Sequence, residues 1–198
     1  MMDISGILLA AGRARRFGAP KLLYPMTDGT PLGVAAGSNL VRAMPGSVAV
    51  VRPGDEELIS ALSAIGLTIV ENPKADNGLG SSLAAGVRAT AHAGGWLIAL
   101  ADMPWIAPAT IRRLAEGLRE DATIIAPAYR GRRGHPVGFA SSWGKELQTL
   151  SSDEGARGLL AAHPDELRIQ ATEDPGVLAD VDYPHDLGQL GKWGRFCR

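Results

Sequence analysis

Short apolar runs alternate along this chain with stretches of helical length, and that alternation narrows the fold more than any other feature of the sequence. Ile4–Ala10 reads as a strand buried on both faces of a parallel sheet, and Thr30-Pro31 reads as an N-cap and first-turn proline opening a helix to about Met44. Ser47–Val51 returns as a strand, Asp55–Ile65 as a helix closed by Gly66, and Leu67–Val70 as the next strand. Ser81–Ala93 is a helix closed by Gly94, Trp96–Ala101 a strand, Pro108–Leu118 a helix, and Thr123–Ala126 and Pro136–Ala140 are extended. The rhythm then loosens into two helical stretches, Trp143–Leu150 and Glu154–Ala162, strands at Leu167–Ala171 and Val177–Val181, and a helix from Pro184. The pattern predicts a three-layer α/β sandwich, with a mostly parallel sheet covered by helices on both faces. In such a sheet ligands gather beyond the carboxyl ends of the strands, where strand order reverses. Candidate residues are therefore sought in 11–21, 71–82, 102–104, 128–136 and 182–186.

Composition removes several functional classes. Lys plus Arg total 20 against 21 for Asp plus Glu, so no global field draws the chain to nucleic acid or to an acidic membrane, and any polyanion site must be local. Cys197 is the single cysteine, so no internal disulfide or cysteine metal cluster exists, which suits a reducing cytoplasm. No uncharged run approaches the roughly 18 apolar residues of a membrane helix. One soluble domain over 1–190 with a short tail over 191–198 is expected, and the 25 glycines ask where so much backbone freedom is used.

Five segments could carry chemistry. Leu9-Ala10-Ala11-Gly12 is followed by Arg13, Arg15, Arg16 and Lys21, a glycine-bearing loop with four cations directly after a buried strand. Small residues there let backbone N–H groups approach phosphate oxygens, although neither Gly-Lys-Ser/Thr nor Gly-x-Gly-x-x-Gly is present. Asp102 follows the strand Trp96–Ala101, where an unpaired buried carboxylate would be costly. It suits a magnesium ion that takes one or two protein carboxylates, or an ordinary turn before Pro104. Asp180 and Asp182 project to one side if extended, and could pair with Asp102 or cap a helix at Pro184. Gly78, Gly80, Ser81 and Ser82 open a helix and could face a base edge or simply cap it. Tyr129–Pro136 is a second cationic loop containing Arg132 and His135.

In this order the segments resemble the nucleotidyltransferases that attach a nucleotide to molybdopterin, most closely the molybdenum cofactor cytidylyltransferase branch. Leu9–Gly12 with Arg13, Gly18 and Pro20-Lys21 matches the opening motif; Asn72-Pro73 with Gly78–Leu83, Leu100–Pro104, Gly131–Pro136, Asp153–Arg157 and Asp180–Leu187 match the motifs that follow. Met103, Ser152 and Tyr183 depart from the usual glutamine, glycine and threonine. The resemblance implies a Rossmann-like nucleotidyltransferase domain in which Leu9, Ala10, Ala11, Gly12, Arg13, Lys21, Gly80, Ser81, Ser82 and Asp102 bind the nucleotide. Arg13, Lys21 and Asp102 would be catalytic, Asp102 and Asp182 would hold Mg2+, and Arg132, His135 and Arg157 would face the pterin. Ala11, where the guanylyl branch has glycine, implies CTP. The expected partners are CTP, molybdopterin and a molybdenum hydroxylase apo-enzyme, with no nucleic acid and no membrane. Alternatives are guanylyl transfer from GTP, transfer to another small phosphate, and non-catalytic delivery of the mature cofactor.

Overall fold

The computed structural model describes residues 3–12, 17 and 20–187. Eight strands form one sheet: β1 (Ile4–Leu9), β2 (Val48–Val51), β3 (Thr68–Glu71), β4 (Gly95–Leu100), β5 (Ile124–Tyr129), β6 (Arg132–Arg133), β7 (Val137–Ala140) and β8 (Leu167–Ala171). The order is β3-β2-β1-β4-β7-β5-β6, with β8 paired to β5. β3, β2, β1 and β4 are mutually parallel, β8 is parallel to β5, and β7 runs antiparallel to β4 and β5. This is the mostly parallel α/β sheet that the alternation predicts. β6 and β7 share one edge of β5, interrupted at Gly134–Pro136, while β8 takes the other edge.

The helices α1 (Leu32–Ala43), α2 (Glu56–Ala64), α3 (Leu79–Ala89), α4 (Pro108–Glu120), α5 (Gly144–Gln148) and α6 (Arg157–Ala162) complete the layers. Alternate residues of β1 enter two cores. Leu8 packs with Leu40, Leu62, Leu97 and Leu114 from α1, α2, β4 and α4, whereas Ile7 and Leu9 pack with Leu83 and Val87 of α3 and with Trp96 and Phe139. That split is the side-chain alternation of a strand buried on both faces.

Several boundaries differ from the sequence reading. Thr30 does not cap α1, because Pro31 occupies the N-cap position and no side chain bonds the first turn. α3 begins at Leu79 and ends at Ala89, where the Thr90 hydroxyl donates to the Gly86 carbonyl and accepts from Trp96 Nε1. Val177–Val181 is not a strand. Residues Pro175–Leu178 form a 3-10 turn whose Gly176 N–H is taken by Asp174, and Asp174 also accepts from Ala107 N–H and the Thr110 hydroxyl at the start of α4. The β5–β6 hairpin stands within the loop expected over Tyr129–Pro136, because the turn-forming Arg130-Gly131 pair and surrounding arginines hide a two-residue strand. The helix expected from Pro184 is helical at 186–187, and its continuation and the tail lie outside the described residues.

Candidate active site

The order β3-β2-β1-β4 places the switch in chain direction between β1 and β4, whose carboxyl ends carry Leu9–Gly12 and Asp102. A cavity of about 1050 Å³ opens there. Leu9, Ala10, Ala11 and Gly12 form its middle, Lys21, Asp102 and Asp182 lie toward β4, and Arg52, Asp76, Gly78, Ser82 and Asp153 lie toward β2, β3 and α3. Phe17 also lines it and packs with Leu32 and Val181, so the glycine-bearing loop and the segment carrying Asp182 share one small apolar cluster.

Toward β4, Lys21 Nζ donates to Asp102 Oδ2 at 2.8 Å and lies 3.8 Å from Asp182 Oδ1. The lysine side chain is 11% exposed, against 30% for Asp102 and 51% for Asp182. Val181 N–H donates to the Asp102 carbonyl, which fixes the chain that presents Asp182 beside Asp102. Asp180 arrives with it. Burial pushes its carboxyl above the ordinary range, its own backbone hydrogen bond opposes this, Asp102 and Asp182 add to the rise, and Lys21 opposes it. Two carboxylates that converge on one ammonium also fit a magnesium ion, which takes one or two protein carboxylates and leaves its other positions to water and phosphate. Among the described residues no cluster of three or more His, Cys, Asp or Glu forms a metal cage.

His135 stands on the same side. Continuing the Ile98–Val137 register sets it opposite Leu100, and its backbone N–H donates to the Val177 carbonyl. Burial holds the imidazole below its usual value, Arg133 adds to this, and Asp102 opposes it. Its Nδ1 is buried with no partner among the described residues. Arg132 and Arg157 are exposed and outside the cavity lining. Arg13 lies outside the described residues.

At the other end, Asn72 is 3% exposed, and its side-chain amide donates to Ser81 Oγ at 3.0 Å and Ser82 Oγ at 3.1 Å while its oxygen accepts from Lys74 N–H. Ser81 turns inward, donating to the carbonyl of Lys74 or Gly78, whereas Ser82 faces the cavity. The Gly80 N–H, expected to face a base, is taken by the Ser152 carbonyl at 2.8 Å. Gly78, at φ 98°, and Gly80 have a packing cause: a Cβ on Gly78 would stand 2.7 Å from the Asp153 backbone, and one on Gly80 2.9 Å from the Ser152 carbonyl. Sequence reasoning passed over the strand end at 52–57. There Arg52 pairs with Asp76 at 2.6 Å, beside Asp55, Glu56 and Glu57. Its position directly after β2 was the available signal.

A mostly parallel sheet whose switch point joins a small-residue loop, a lysine and two carboxylates defines an α/β nucleotidyltransferase. Residues 6–167 match the MobA-like NTP transferase domain, and the chain belongs to that family. It is 31% identical over 196 residues to the nicotine blue oxidoreductase of Paenarthrobacter nicotinovorans, covering 94% of this chain and 96% of that protein. Among solved structures it resembles a nucleotidyl transferase from Methanothermobacter thermautotroptrophicus, with TM-score 0.84, 25% identity and coverage of 100% and 99% of the two chains. It also resembles Rv0371c of Mycobacterium tuberculosis H37Rv, with TM-score 0.79, 29% identity and coverage of 96% and 97%. The complex of Rv0371c with manganese matches with TM-score 0.77, 29% identity and coverage of 95% and 97%. No helix among the described residues is long and apolar enough to cross a membrane.

Proposed function

We propose that this enzyme transfers CMP from CTP to the terminal phosphate of molybdopterin and releases pyrophosphate, with magnesium held by Asp102 and Asp182. The observation that carries the reading is the convergence of Lys21, Asp102 and Asp182 at the strand switch. The acceptor is a phosphate monoester with a second pKa of about 6, mostly dianionic at neutral pH, so the chain need not supply a base. Its oxygen attacks the α-phosphorus of CTP as the bond to pyrophosphate breaks. Lys21, with Arg13, stabilises the charge that builds on the α-phosphate and the leaving group. The bound metal would supply Lewis-acid charge neutralisation at the phosphate oxygens. Ala10, Ala11 and Gly12 line the cavity without bulk, which allows the backbone close to the nucleotide, and Ser82 offers a hydroxyl to the base. Ala11 in place of glycine favours CTP over the larger GTP. His135, beside Asp102, would meet the pterin side of the acceptor, with Arg132 and Arg157 reached beyond the cavity mouth. A molybdenum hydroxylase would receive the product in the cytoplasm.

Pyrophosphate release, measured with molybdopterin, magnesium and each of CTP, GTP, ATP and UTP, tests this. CTP should be the best donor. Faster release with GTP would make the chain a guanylyl enzyme, and none with any nucleotide would sink nucleotidyl transfer to this acceptor.

A further inference from the structure

Resting on the nucleotidyl-transfer reading, we infer that Asp153 is a specificity-determining residue that accepts a hydrogen bond from the exocyclic amino group of the nucleobase. The resemblance sets Arg157, the last residue of the Asp153–Arg157 motif, on the pterin side. Both ends of the segment are exposed, but the fold separates them: Arg157 starts α6 outside the cavity, while Asp153 lines it with Gly78 and Ser82. This placement is built in. The Ser152 carbonyl takes the Gly80 N–H, and the missing side chain of Gly78 lets the Asp153 backbone and carboxylate lie against the N-terminus of α3. No hydrogen bond or ion pair among the described residues engages the Asp153 carboxylate.

The base end of the cavity follows from topology. Phosphates belong with Lys21, Asp102 and Asp182 near β4, so the nucleoside extends past Leu9–Gly12 toward α3. Two groups of opposite hydrogen-bonding sense meet it there. Ser82 Oγ already accepts from Asn72, which leaves its O–H to donate, and Asp153 can only accept. Cytosine offers an acceptor, the ring N3, next to a donor, the N4 amino group, and so complements the pair. Uracil presents an oxygen at that second position and would set it against a carboxylate, an arrangement that binding sites reject strongly.

The test compares the full-length chain with Asp153→Asn and Asp153→Ala. CTP and UTP are titrated calorimetrically in magnesium, and steady-state constants are measured with molybdopterin as acceptor. The expected result is a fall of about tenfold or more in the CTP-to-UTP affinity ratio in both variants, with the KM for molybdopterin unchanged. A ratio within about twofold of the parent's, or a change confined to the KM for molybdopterin, would overturn the assignment. Asparagine is nearly isosteric and keeps the loop fold, and the melting temperature of each variant is checked beside the titrations. The two readings fail separately: a parent chain that binds CTP but releases no pyrophosphate would overturn the transfer reaction, whereas an unchanged CTP-to-UTP ratio in an active enzyme overturns only Asp153.

Discussion

Replacing Lys21 by methionine keeps the stem and removes the charge that two carboxylates share. The 2.8 Å bond to Asp102 is charge-assisted and joins a side chain 11% exposed to one 30% exposed. A hydrogen bond of this kind contributes about 1.5–3 kcal/mol. The 3.8 Å pair with the half-exposed Asp182 adds little, because solvent screens it. A loss of about 2 kcal/mol in a chain of this size lowers the melting temperature by about 4–8 °C. The loss should be largest in EDTA. Magnesium at about a hundred times its dissociation constant contributes about 2.7 kcal/mol to a folded state that binds it, and because Lys21 competes with the ion for the same carboxylates the variant should gain more than the parent, so adding it should narrow the gap. Turnover should not recover, because the ammonium acts on charge that develops during transfer, and losing one such donor costs about 10²–10³ in kcat with little change in the KM for CTP. Differential scanning fluorimetry with and without magnesium, beside pyrophosphate release, measures both effects. A variant that melts with the parent in EDTA, or that loses CTP affinity at unchanged turnover, would refute this account of the lysine.

Three further outcomes are expected. Asp102→Ala should abolish transfer at saturating CTP and magnesium while leaving the circular dichroism spectrum intact; normal turnover would remove Asp102 from the site. Asn72→Ala deletes three hydrogen bonds in a site 3% exposed to solvent, so it should destabilise the fold by about 2–3 kcal/mol and raise the KM for CTP, and an unchanged melting curve would contradict the role assigned to the amide. His135 is held below its usual 6.5 by burial first and Arg133 second. Between that lowered value and 6.5 the unfolded chain binds the extra proton, so the stability from this group is complete above about 6.5 and declines as the pH falls. Melting temperatures of His135→Asn should therefore drop less than the parent's between pH 7.5 and 5, and parallel curves would contradict the shift.

What the sequence disclosed, and what it hid, divides along local and long-range causes. Ile4–Leu9, Gly95–Leu100 and the helices against them were legible because burial on both faces writes an apolar run and burial on one face writes a helical period. The pairing of Asp102 with Asp182 was open to expectation only through two motifs 80 residues apart. What brings them together is one backbone hydrogen bond, Val181 N–H to the Asp102 carbonyl, and the packing of Val181 on Phe17, neither of which any local pattern encodes. Val177–Val181 misread as a strand for the same reason: β-branched residues suited an extended segment, but Asp174 draws the chain into a turn by bonding Gly176 and the start of α4.

The glycines divide in the same way. At Gly12 an added Cβ would meet nothing within 4 Å among the described residues, and the position lines the cavity. Gly78 and Gly80 occupy equally suggestive places after a strand, yet the atoms pressed against them belong to Ser152 and Asp153. Both kinds of glycine look alike in a motif, since each marks a backbone that something approaches. Only the fold identifies what approaches, and at α3 it is a carboxylate from 75 residues downstream, carried to the end of the cavity where a base would be read.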